Sequence, residues 1–178
     1  MVRADRPRQA RFARALGSLA ALCGGSTTTS GVMSCPSRAD WGEVDPDDLD
    51  ASWALKTFLG KSFAEAEAMF AENALYFQEG LQSMPAIAFN FYAPALTKYL
   101  TSARAKGDAD GASSFLHTLI WMLETRPEII APDTRRTLLH AAEYISTNQG
   151  FFDADVSIYG HFPSLWKEIQ LLANPHDA

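Results

Sequence analysis

The four histidines, His117, His140, His161 and His176, carry the most versatile chemistry in this chain, and their spacing limits what they can do. None belongs to a His-Glu-x-x-His motif, and the paired Glu-x-x-His motifs of a bundle metal site do not occur. His140 and Glu143 stand three residues apart, a spacing that suits a surface pair on one helical face. Gly107-Asp108-Ala109-Asp110-Gly111 has the alternating carboxylates that open a calcium loop. The twelfth position counted from Asp108 is Leu119, not the bidentate glutamate that closes such a loop, so a turn and a helix cap fit better. Gly60-Lys61-Ser62 has the closing residues of a phosphate-binding loop, but the glycine needed five positions before its Gly-Lys pair falls on Leu55. There is no Gly-x-Ser-x-Gly elbow, and both cysteines, Cys23 and Cys35, precede the main body of the chain. These patterns give no catalytic residue, no cofactor and no metal ligand. A site assembled from distant carboxylates and a histidine leaves no spacing to read.

The elements that would position any site are organised around Met84 to Leu100, MPAIAFNFYAPALTKYL. At 100° per residue, Met84, Ile87, Ala88, Phe91, Tyr92, Ala95 and Tyr99 share a broad face, widened by Phe89, Leu96 and Leu100. The small or polar stripe runs through Asn90, Ala93 and Thr97. A helix this apolar is expected at the centre of the fold, with the others packed around it. Pro94 lacks an N–H, which predicts a kink and leaves the Asn90 carbonyl in need of another donor. If a pocket exists, it is expected at this kink, with Asn90, Tyr92, Tyr99 and His117 offering polar tips on apolar bodies. The competing expectation is that the same residues are core groups, each with a hydrogen bond to a neighbour.

The run Met84-Pro85, Ala88-Phe89, Phe91-Tyr92 and Pro94-Ala95 resembles a motif of small bacterial helical proteins of unknown function, in which an aromatic pair precedes Pro-Ala. Glu65-Ala66-Glu67 and Gly107-Asp108-Ala109-Asp110 are similar to the flanks of that motif. The resemblance spans roughly residues 58 to 125 and implies a helical fold, with no activity attached.

Along the rest of the chain, Asp45 is expected to cap a helix with Pro46 at its first position, and Gly60 to end it. Ser62-Phe63-Ala64-Glu65 matches a capping box. Leu75, Tyr76, Phe77 and Leu81 form a short apolar piece that Gly80 separates from the central helix. Helices follow over Ser113 to Thr125, from Pro132 to about Asn148, and from about Pro163 until Pro175 bars continuation. Phe151 to Gly160 reads as irregular. The fold class is therefore all-α, an irregular bundle of about six helices around a buried, proline-kinked central helix. Residues 1–39 read as a basic leader of low order and residues 40–175 as a single helical domain.

Charge divides unevenly along the chain. Residues 1–38 hold six arginines and one aspartate; of the chain's 15 basic and 21 acidic residues, nine and twenty remain for the body. A body this acidic repels phosphate backbones, which argues against nucleic-acid binding and favours a basic protein partner. The basic start followed by Ala15 to Leu22 has the outline of a secretory signal, but Gly17 and Ser18 dilute its apolar core. A start at Met33 is the other reading of this segment. A cytoplasmic location is expected, with export as the alternative if the leader acts as a signal. No run of about 18 apolar residues predicts a transmembrane span. The favoured function is a protein-interaction module, of the kind an inhibitor or immunity protein represents, with Phe151, Phe152, Asp153, Asp155 and Tyr159 as the expected contact surface. The alternative is a small-molecule binder or enzyme using the kink.

Overall fold

A computed structural model describes residues 34–174. The readings on the signal-like run, Cys23, Met33 and His176 lie outside the described residues. Every regular element among the described residues is helical. Six of the α-helices have ten or more residues: α1 (Leu49–Phe58), α2 (Phe63–Glu72), α4 (Ala86–Leu100), α5 (Ala109–Thr125), α6 (Pro132–Thr147) and α8 (Phe162–Ala173). Two shorter ones, α3 (Ala74–Gln78) and α7 (Val156–Tyr159), complete the set.

Short polar side chains set where these helices start. Ser62 and Glu65 form the expected capping box on α2: the Ser62 N–H donates to Glu65 Oε2 at 2.9 Å and the Glu65 N–H to Ser62 Oγ at 3.3 Å. Asn73 ends α2 and also caps α3, accepting from the Tyr76 N–H at 3.0 Å, so no loop separates the two. The α1 cap is Asp48 rather than Asp45. Asp45 instead accepts from the Asp47 N–H at 2.9 Å and closes a turn of its own, which leaves Asp48 to receive the Ala51 N–H. Helix α5 likewise begins before Ser113, because Asp108 accepts from the Gly111 N–H at 2.9 Å and draws residues 109–112 into its first turn. Phe151 to Gly160 is more regular than expected, holding the end of a 3-10 turn (Gln149–Phe152) and α7.

Helix α4 takes the predicted central place. Helices α2 and α6 pack along it, and α8 lies against α5 and α6. Ten of its fifteen residues are buried. The small or polar stripe through Asn90, Ala93 and Thr97 divides: Ala93 and Thr97 are buried, and exposure follows Ile87, Asn90, Pro94 and Lys98. Neighbours cover Ala93 and Thr97, and Pro94 is half-buried on the remaining stripe. The helix continues through Pro94, and the Asn90 carbonyl deprived by that proline accepts a long bond of 3.5 Å from the Thr134 hydroxyl on α6.

Among the described residues, packing on this body already involves Cys35, within the stretch read as leader. The Cys35 thiol lies 3.0 Å from the Lys61 carbonyl, and Trp41, in the 3-10 turn Arg38–Trp41, is buried with its ring 6.5 Å from that of Tyr92.

Candidate functional site

The four residues expected around the kink serve different neighbours. Asn90 Nδ2 donates to the carbonyls of Ala86 and Ile129, both at 2.7 Å, while its Oδ1 accepts from the Ala131 N–H at 2.8 Å. It therefore fastens α4 to the segment leading into α6. Tyr92 is fully buried, and its hydroxyl points at the carbonyls of Phe58 (2.6 Å) and Lys61 (3.0 Å). These groups lie where α1 ends and its last carbonyls lack helical donors. Tyr99 donates to Asp108 Oδ2 at 2.9 Å, steadying the cap of α5. Burial, reinforced by the Asp108 carboxylate, pushes the Tyr99 phenol well above its ordinary range. His117 is exposed on α5, and His140 and Glu143 share the outer face of α6.

The segment expected as a contact surface divides its residues between the inside and solvent. Phe152 is buried and Phe151 half-buried, stacked edge-on at 5.0 Å beside Tyr144. Tyr159 donates to Asp110 Oδ1 at 2.8 Å, so Asp110 holds its phenol proton more firmly than usual. Asp153 and Asp155 are exposed. Asp153 adopts a left-handed conformation with φ of 53°, which aspartate and asparagine tolerate better than most residues. Asp155 caps α7, accepting from the Ser157 hydroxyl and N–H at 2.6 and 2.7 Å, and these bonds hold its carboxyl below the usual carboxylate range. The apolar groups shown to solvent are Val156 and Ile158. Gln149, unremarked in the sequence, holds this segment together: it donates to the carbonyls of Ala154 and Gly160 and accepts from the Phe162 N–H.

A cleft of about 590 Å³ opens elsewhere, lined by Asp50 and Trp53 of α1, Tyr76 of α3, and Glu79, Gln82 and Ser83 of the 3-10 turn Glu79–Ser83. The Trp53 and Tyr76 rings meet edge-on, 5.2 Å apart at 78°. Gly80 allows this arrangement, because a Cβ there would stand 2.8 Å from the Trp53 ring and 3.2 Å from that of Phe58. Asp50 and Glu79 are exposed, and neither forms an ion pair among the described residues. Neighbours fix the turn from behind: Arg126 donates to the carbonyls of Gln82 and Met84, and Gln82 donates to the Thr118 hydroxyl at 3.3 Å. Trp53 and Tyr76 stand in separate elements, and no sequence spacing joins them. The signal available was the concentration of acids from Glu43 to Asp50 directly before Trp53.

A second acidic and aromatic cluster is already filled. Glu67 on α2 receives Lys98 at 2.7 Å and Arg104 at 3.2 Å, and the Lys98 ammonium stands 5.5 Å above the Phe63 ring. Among the described residues no three His, Cys, Asp or Glu side chains gather as a metal site would, and no helix is long and apolar enough to cross a membrane. Comparison of the chain with family models, with curated proteins and with solved structures finds no match.

Proposed function

We propose that this domain is a protein-interaction module whose partner carries a basic surface. The observation that supports it is that, among the described residues, the two most exposed large apolar side chains, Leu49 at 77% and Ile158 at 74%, both lie close in sequence to aspartates. Leu49 falls between Asp48 and Asp50, and Ile158 follows Asp153 and Asp155. An exposed apolar group with aspartates nearby in the chain combines area to bury with selection for positive charge, the two components of a steered protein contact. The acidic body fits the same reading and disfavours phosphate backbones as ligands. The function takes place in the cytoplasm on this reading, with export the alternative if the leader is a signal.

The test uses the full chain as bait in lysate of the source organism, at low and high salt, beside a variant carrying Asp153→Asn and Asp155→Asn. Asparagine tolerates the left-handed backbone at position 153 and retains the capping geometry at 155, so the variant changes charge without changing shape. A basic protein held at low salt, released at high salt and bound more weakly by the variant is the expected outcome. Capture indifferent to both salt and substitution would overturn electrostatic docking through this segment.

A further inference from the structure

We propose that the cleft between α1 and the Glu79–Ser83 turn binds the guanidinium group of an arginine carried by the basic partner, an inference that rests on the interaction reading above. A cation near the negative faces of aromatic rings is attracted by their quadrupoles, and the cleft offers an indole and a phenol. Carboxylates from two different elements, Asp50 and Glu79, lie on the same cleft without any cation of this chain paired to them among the described residues. The field is strengthened by sequence, since Glu43, Asp45, Asp47, Asp48 and Asp50 precede Trp53 with no basic residue among them.

The molecule also contains an occupied counterpart. Around Phe63 and Glu67 the same ingredients, one ring and one carboxylate, hold Lys98 and Arg104 from within the chain. The cleft has two rings and two carboxylates, and no base among the described residues is paired with them. Arginine suits it better than lysine: a planar, weakly hydrated guanidinium stacks on rings and offers five fixed donors, while an ammonium keeps its water. The acceptors those donors would meet are the Asp50 and Glu79 carboxylates, with the Ser83 hydroxyl also on the wall. A volume near 590 Å³ exceeds one guanidinium and accommodates the residues flanking it in an extended segment.

The experiment titrates the full chain with hexa-arginine, hexa-lysine and hexa-citrulline peptides at low salt, following the Trp53 indole N–H by NMR, assigned with a Trp53→Phe variant. Hexa-arginine should shift that resonance, hexa-lysine should bind about threefold or more weakly, and hexa-citrulline, which keeps the shape without the charge, should not bind. Asp50→Asn with Glu79→Gln should weaken hexa-arginine by about tenfold, whereas Asp153→Asn with Asp155→Asn, an equal change in net charge, should weaken it less than about twofold. Equal losses from the two double variants would show diffuse attraction and overturn the cleft while leaving a basic partner in place. Equal binding of hexa-citrulline would overturn the cation. A partner captured from lysate that binds the Asp50→Asn/Glu79→Gln variant as tightly as the parent would overturn the cleft alone; failure of both capture and peptide binding would overturn the interaction reading as well.

Discussion

Two regions of this molecule bring carboxylates against aromatic rings, and they differ in who supplies the cation. Around Phe63, α2 contributes Glu67, α4 contributes Lys98, and the following turn contributes Arg104. That cluster is a joint within the fold. Around Trp53 and Tyr76, the acids come from α1 and the Glu79–Ser83 turn, and no base of the described chain reaches them. On the proposal above, an internal cation marks a joint within the fold and its absence among the described residues marks a binding cleft. Where the cation is internal the cluster contributes to stability; where none is paired, the carboxylates contribute little to the fold.

Breaking the shared floor of the fold has the largest effect. Phe58 is fully buried, 5.8 Å from Phe70 and 5.1 Å from Tyr92, and it lies beneath Gly80 at the cleft. Phe58→Ala is expected to cost about 3–5 kcal/mol in urea unfolding and to abolish the cleft with it. Asn90→Leu comes next, at about 2 kcal/mol, because the Ile129 carbonyl and the Ala131 N–H both lose their partner. A thermal melt unchanged by this substitution would return Asn90 to the list of groups free to serve a ligand.

A third acidic and aromatic contact, Tyr99 with Asp108, sharpens the comparison through pH. The folded phenol ionises above its ordinary range, so past about pH 10 the unfolded chain releases a proton that the folded chain retains. Stability from this group is complete below that pH and declines as pH rises toward the folded value. Tyr99→Phe should flatten the decline between about pH 9 and pH 11 in urea midpoints, with half-buried Tyr159 leaving a smaller slope of the same sign. The smallest effects separate the two clusters directly. Glu67→Gln should cost up to about 1 kcal/mol, whereas Asp50→Asn with Glu79→Gln should stay within about 0.5 kcal/mol or stabilise. Equal losses at the two clusters would mean that the cleft acids also serve the fold.

Local chemistry was legible in the sequence, and long-range pairing was not. Ser62 and Glu65 lie within one helical turn of each other, so their reciprocal bonds follow from spacing alone. The centrality of α4 was legible for a related reason, since a helix apolar on most sides must be covered. The α1 cap went astray because three aspartates within four residues, Asp45, Asp47 and Asp48, compete for two turns. The cleft was illegible: Trp53 and Tyr76 are joined by the packing of the Glu79–Ser83 turn on α1, a contact permitted by one missing Cβ at Gly80. Nor did the aromatic count of Phe151 to Tyr159 reveal that its rings turn inward while Val156 and Ile158 face out.

The docking of Trp41 beside Tyr92 has a consequence for how the protein breathes. Between that indole and α1 runs a mostly exposed acidic stretch, residues 42–48, so the Cys35–Trp41 segment is attached to the body chiefly by what it buries. Such a segment opens as a unit of its own, at a fraction of the global unfolding free energy, while the helices stay assembled. In hydrogen exchange its amides are expected to exchange faster than those of α4.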